Sequence, residues 1–287
     1  MGGTGAVGVT DLFDGLFDDA ALFPPGDAPM AAAVPAHREL RERLGRLVGP
    51  FVVPAGRLDE LSAHLDAGPA VDISLIATAG DLAAAARRVE DDPGLSLAAV
   101  EVPAVADVEA AHEAVRALDD VVPAAVPAAV ELPRTAALNA VLDVLAGTRY
   151  RAKLRTGGVR AELFPSAAEL AETLHACVAR DVAFKCTAGL HHAVRHTDPS
   201  TGFEHHGFLN LLLAVSALSA GAPPQIAAER LRESDEGGMV AALRTWPPHR
   251  AGRARALFTS FGTCSVLEPV EDLTRLGLLP SPDRIPA

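Results

Sequence analysis

The chain has 287 residues, a formal net charge of −12, 49% hydrophobic residues and 22% charged ones. It is too long for a small stapled domain and fits one large α/β barrel or two ordinary domains; with aromatics at only 4%, the core must be built from Ala, Val and Leu. The acidic balance, with no Lys/Arg-rich run, argues against a nucleic-acid partner, and an anionic substrate would need a locally positive pocket. Three cysteines (Cys177, Cys186, Cys264) without a CxxC signal neither a disulfide framework nor a structural zinc site. The opening MGGTGAVGVTDLFDG lacks the basic and apolar regions of a secretion signal, and FLNLLLAVSALSAGA is broken by Asn210 and too short to span a bilayer. No membrane association and a cytoplasmic location are the expectations.

The elements alternate along the chain. The first strand is expected within 14–26 (DGLFDDAALFPPG), ended by the Pro-Pro-Gly turn. Strand-like runs follow at 50–54, 71–78, 95–103, 127–133, 150–156, 181–187 and 257–263. Between them, 81–92 and 106–120 carry apolar residues at three- and four-residue spacing, as helices do. The run 134–147 is expected to end on Gly147 as a helix cap. Ser166 with Glu169, and Ser265 with Glu268, have capping-box spacing. Eight strand–helix units imply a single (β/α)8 barrel spanning 1–287. The segment 190–250 is too long for one crossover and is expected to elaborate the barrel mouth.

Barrel strands point alternate residues inward. Lys153 and Arg155 share one face of YRAKLRT, and Lys185 and Thr187 share one face of DVAFKCT. The helix-facing side of each strand should be apolar, so these basic groups point inward. Glu101 and Glu131 sit near the ends of their strands, each two residues before a proline. Four consecutive strands therefore carry ionisable groups at their C-terminal ends, where barrel active sites lie. Glu101–Lys153 and Glu131–Arg155 could simply be ion pairs closing the mouth, but four buried charges oppose folding unless paired. Asp18 and Asp19 end the first strand; one points into the mouth, and Asp19 is the expected substrate contact.

Two neighbouring lysines raise the cost of protonating each other, and a neutral amine attacks carbonyls to form a Schiff base. A nearby carboxylate can relay the proton. This is the constellation of a class I aldolase. The chain resembles the deoxyribose-phosphate aldolase family over most of its length, through KLRTG (153–157), KCTAG (185–189), FGTCS (261–265), FDDAALFPPGDA (17–28), FVVP (51–54) and AVELP (129–133). The resemblance implies that Lys153 is the Schiff-base lysine and that Lys185 keeps it neutral. It implies that Glu101 assists proton transfer in place of an aspartate, and that Gly157, Gly189 and Ser265 hold a substrate phosphate. Gly158 departs from the family, which often has a lysine there, and so does the loop LHHAVRHTDPSTGFEHHGF (190–208).

That loop carries His191, His192, His196, His205 and His206. It reads as a polar loop over the pocket with His191 or His192 nearest the reacting centre and Arg195 adding positive charge; a divalent-metal site is the alternative. The leading expectation is a cofactor-free, metal-free lysine-dependent lyase acting on a small carbonyl compound, phosphorylated or carboxylated. Lys153, Lys185 and Glu101 are its catalytic residues. Arg155, Gly157, Gly189, Glu131, Asp19, His191, His192 and Ser265 are its substrate contacts. A metal-dependent hydrolase or lyase using the loop histidines, and a ligand-binding barrel without chemistry, are the other readings. A homodimer is compatible with the sequence.

Overall fold

A computed structural model describes residues 9–66 and 68–280. In chain order the strands are β1 Phe17–Asp19, β2 Val48–Pro54, β3 Val71–Ile76, β4 Leu95–Val102, β5 Ala128–Glu131, β6 Arg151–Arg155 and β7 Phe184–Thr187. Two short strands follow, β8 His196–Thr197 and β9 Glu204–His205, and then β10 Phe258–Thr263. Strands β1 to β7 and β10 are parallel and close into an eight-stranded barrel in which β10 pairs with both β7 and β1. β8 and β9 form a separate antiparallel hairpin. The (β/α)8 architecture read from the sequence is therefore the observed one.

Helices α1 Met30–Leu44, α2 Leu58–Ser62, α3 Leu82–Glu90, α4 Val108–Val121, α5 Leu138–Leu145 and α6 Ala167–Ala179 cover the barrel as crossovers. Each has an apolar face to bury against the strands; that of α4 is Ala111, Ala114 and Leu118. The capping box of α6 forms as its spacing requires: Ser166 Oγ accepts from the Glu169 amide at 3.2 Å, and Glu169 accepts from the Ser166 amide at 2.8 Å. Gly147 adopts φ +80° just beyond α5, the backbone that lets a chain leave a helix. The second capping box does not form. α11 Leu267–Arg275 begins without a side-chain cap, because Glu268 is drawn to a histidine of the loop after β7.

The segment 190–250 divides in two. Its first part, up to the hairpin, borders the mouth. The rest is α7 Phe208–Ser219, α8 Pro224–Arg232, α9 Glu236–Arg244 and the start of α10 Pro248–Leu257. Those helices lie on the flank instead of over the mouth. Phe208 of α7 packs edge-on against Phe17 of β1 and stacks on Phe261 of β10, ring centroids 5.8 and 5.4 Å apart. A helix held between barrel wall and outer helices is buried on nearly every side, and α7 is, with mostly apolar residues around it. Asn210 interrupts its apolar run for a reason. Fully buried, it accepts from the Arg195 amide and donates to the carbonyls of Arg230 and Glu233, tying the loop to the end of α8. Among the described residues, no helix is long and apolar enough to cross a membrane.

Candidate active site

The inward face of the barrel near its C-terminal rim is charged, and the strand register dictates how. Glu131 on β5, Lys153 on β6 and Lys185 on β7 are direct cross-strand neighbours. Glu101 on β4 pairs with Ala129, one inward position below Glu131, so its side chain rises between the two lysines. Lys153 Nζ lies 2.8 Å from Glu101 Oε2 and 3.2 Å from Glu131 Oε2. Lys185 Nζ lies 2.7 Å from Asp18 Oδ2 and also bonds Glu101 Oε1. Arg155 forks onto Glu131 Oε1 through Nε and a terminal nitrogen, both at 3.0 Å. Serines complete the layer: Ser74 donates to Glu101 at 2.9 Å and Ser260 to Asp18 at 2.8 Å.

Lys153 and Lys185 are only 3% and 5% exposed, so this pairing is what makes their burial tolerable. Three cations, Lys153, Arg155 and Lys185, face three carboxylates, Asp18, Glu101 and Glu131. Burial alone would push the Glu101 carboxyl up, but the two lysines overcome it and hold Glu101 well below the usual carboxylate range. Burial likewise opposes the Lys185 ammonium, and Asp18 and Glu101 more than reverse that, raising it above the ordinary lysine value. Asp18 behaves differently from its partner. Burial raises it more than Lys185 lowers it, because it also faces the negative Glu101.

The register settles which aspartate enters the barrel. Asp18 does, whereas the expected contact Asp19 points outward and bonds His37 Nδ1 of α1 at 2.9 Å. Above the charged layer opens a cavity of about 360 Å³ bordered by Glu101, Glu131, Lys153, Arg155, Lys185 and His191. Cys264 also borders it, 3.9 Å from His191 Nδ1, and Glu268 accepts from that nitrogen at 2.8 Å. Burial disfavours the His191 cation, but the contacts to Cys264 and Glu268 prevail and push it up to about 9. Ser265 lies one residue beyond Cys264 and uses its amide and carbonyl on the Thr263 hydroxyl, within its own turn.

The other histidines scatter. His192 turns away from the cavity onto Asp272 at 3.1 Å. His205 bonds the Gly189 carbonyl at 3.1 Å, and His206 donates from Nε2 to the Pro165 carbonyl at 2.8 Å. His196 stacks on His205 with centroids 5.1 Å apart. Burial and neighbouring histidines push His196 and His205 down. Among the described residues, no three His, Cys, Asp or Glu side chains are disposed to hold a metal ion.

Sequence reasoning missed Asp18, Ser74 and Ser260 as partners of the lysines. It also missed a plain signal: of the 25 Lys and Arg residues in the chain, only Lys153 and Lys185 are lysine. Arginine serves every other basic position, and the amine is kept for two adjacent buried sites. An amine can lose its proton and act as a nucleophile, which a guanidinium cannot.

Fold and site together define a (β/α)8 barrel with a paired-lysine centre at its C-terminal rim. Comparison with protein-family models, with curated proteins and with solved structures finds no match.

Proposed function

We propose that this barrel is a lysine-dependent lyase of the class I aldolase type, acting on a small carbonyl compound through an imine on Lys153. The observation that carries the reading is the pair itself: the chain's only two lysines are cross-strand neighbours bridged by one carboxylate beneath a cavity.

The roles follow from the partners. Lys185 is held as a permanent cation by Asp18 and Glu101. Together with Lys153, that charge keeps Glu101 ionised. Lys153 gives its proton to Glu101 or Glu131, both within hydrogen-bonding reach. The free amine adds to the carbonyl carbon, forming a C–N bond, and the carbonyl oxygen takes up protons and leaves as water. The resulting iminium accepts the electron pair of a bond to its α-carbon. Either the β-hydroxyl gives its proton to a carboxylate and the C–C bond breaks, releasing the fragment as an aldehyde or ketone, or the α-proton itself passes to the carboxylate, and both leave an enamine. Protonation of the enamine and addition of water then release product and regenerate Lys153. Dehydration or isomerisation could use the same intermediates.

Borohydride reduction with a panel of carbonyl compounds, followed by peptide mass mapping, tests this directly. Besides the chain's amino terminus, Lys153 and Lys185 are the only amines that can be labelled. A reduced adduct on Lys153 is expected; labelling confined to Lys185 or to the amino terminus would sink the assignment. The full pairing of both lysines supports one competing reading, a ligand-binding barrel without chemistry. That reading requires ligand affinity to survive Lys153→Arg, which imine chemistry does not tolerate.

A further inference from the structure

We infer that the carbonyl substrate of this site is uncharged and carries an apolar body, and is neither a phosphate ester nor a carboxylate. The inference rests on the imine reading for the position of the carbonyl carbon, and on the cavity itself for everything else.

Charge comes first. The cations that border the cavity are Lys153, Arg155, Lys185 and His191, and each has a carboxylate within 3.2 Å. Their partners are Glu101 and Glu131, which also border the cavity, and Asp18 and Glu268, which lie behind it, so every cation of the lining is already committed to a carboxylate. An incoming phosphate would lose its hydration without an uncommitted cation to replace it, inside a chain of net charge −12. Displacing a carboxylate from its lysine would only exchange one buried unpaired anion for another.

The walls come second. Above the charged floor the cavity is faced by Phe23, Val52, Ile76 and Leu163, with Val159 at the lip. Val159 is 68% exposed and, with Leu267, is one of two large hydrophobic residues that the described chain leaves exposed. An alkyl chain extending from Lys153 toward the rim would cover it.

The glycines come third. Gly157 and Gly189 are the residues that the family resemblance would give to a phosphate. The packing explains them otherwise. A Cβ at either would lie 2.7 Å from the other's Cα, and at Gly157 it would also meet the Phe164 ring at 2.7 Å. The two loops need glycine in order to pass each other against an aromatic ring, whatever the ligand.

The test compares borohydride trapping on Lys153 with propanal, pentanal and heptanal against glyceraldehyde 3-phosphate and pyruvate. The half-saturating concentration should fall about fourfold for each methylene buried, until the cavity is filled. The two anionic compounds should need at least about tenfold more than propanal, the cost of roughly one unpaired buried charge contact. Val159→Asp should flatten the chain-length series, weakening heptanal more than propanal. A series flat in the unaltered protein, or an anionic compound trapped at lower concentration than the alkanals, overturns the inference while leaving the imine reading in place. If no carbonyl labels Lys153, the imine reading has failed, and calorimetry with unreactive heptanamide and glycerol 3-phosphate decides the inference alone. Binding of the amide, weakened by Val159→Asp, upholds it; preference for the phosphate, or no binding of the amide, overturns it.

Discussion

Two groups of titratable side chains meet at the rim of this barrel, and they are organised in opposite ways. Inside, Asp18, Glu101, Glu131, Lys153, Arg155 and Lys185 form one connected network in which each charge has a partner of opposite sign. Outside, five histidines lie close in sequence, but their nitrogens go to unrelated partners: Glu268, Asp272, and the carbonyls of Val194, Gly189 and Pro165. The strands fix direction and spacing for the first group, so side chains from five strands converge. The loop gives the second group proximity without convergence. Density of ionisable residues in the sequence is therefore a poor guide to chemistry; alternation on a closed sheet is a better one.

The largest expected effect separates the two groups most sharply. Lys153→Met should abolish turnover and borohydride trapping at every pH, with no alkaline recovery. The fold should survive. Glu101 keeps Lys185 and Glu131 keeps Arg155, so the loss should stay below the ~3–5 kcal/mol typical of orphaning a buried charge. Thermal unfolding beside the trapping assay checks both halves. A Lys153→Met protein that still turns over would mean that the paired lysines are structural.

Glu101→Gln comes next, removing the bridge between the two ammonium groups. The rate should fall by about 10²–10⁴-fold, the range for a lost acid–base group. Stability should change with pH in a definite sense. Glu101 is held below its ordinary value when folded, so its contribution is fully present above the unfolded value of about 4.3 and is lost as pH falls through the folded one. The stability gap between the unaltered chain and Glu101→Gln should therefore narrow in acid. Lys185 works from the other side: its contribution is present below the unfolded value of about 10.4 and is lost as pH rises through the higher folded one. A gap unchanged from pH 6 down to pH 2, in denaturant titrations, would show that the bridge stabilises nothing.

Lys185→Met should cost less than either, about one to three decades in rate at neutral pH with partial recovery in alkali. Two effects act in the same direction. A like charge next to Lys153 is gone, and Glu101 no longer shares its negative charge, so the field around the nucleophile turns in favour of positive charge. If Lys185→Met is inactive at all pH values while Lys153→Met works, the nucleophile is Lys185.

Much of the inner network was legible because a strand has only two faces. In YRAKLRT and DVAFKCT the apolar face must meet the helices, which leaves one orientation for Lys153, Arg155 and Lys185. Glu101 and Glu131 followed from the same alternation and from Pro103 and Pro133 behind them. The first strand was not legible in this way. In LFDDAAL either aspartate can point inward while apolar residues flank both faces, and only the pairing of Asp18 with Gly262 and Asp19 with Thr263 decides. Ser74 and Ser260 carried no signal, since an inward serine looks like any other small residue. Ser265 and Glu268 had the spacing of a cap, but a tertiary partner, His191, competed for the carboxylate and won. The path of the 190–207 loop depends on Asn210 and on α11, contacts that sequence spacing does not encode.

His191 tests the boundary between the two groups, because it alone of the loop histidines borders the cavity. Glu268→Gln should bring its titration down from about 9 toward the ordinary histidine value near 6.5, as proton NMR would show. The sign follows: a raised histidine stabilises fully below about pH 6.5 and loses that contribution as pH rises through about 9. A titration unmoved by Glu268→Gln would mean that the nearby Cys264 sets it.

The smallest effect belongs to His192, and its smallness is the point. Its side chain is 42% exposed and turned onto Asp272. That carboxylate also accepts from the Ala193 amide at 2.8 Å and from Arg275 at 3.3 Å, so it keeps two partners when the imidazole is removed. An exposed ion pair of this kind is worth little, and His192→Ala should change stability by less than about 1 kcal/mol. With no reach into the cavity, it should leave turnover and trapping on Lys153 within about twofold, since nothing it touches shifts the acid–base groups of the barrel. His196 and His205 are neutral-leaning rings stacked on each other and should behave alike. A tenfold loss from His192→Ala, in protein of unchanged thermal stability, would show that the loop histidines act on the reaction as a group. The contrast between a convergent barrel and a scattered loop would then fail.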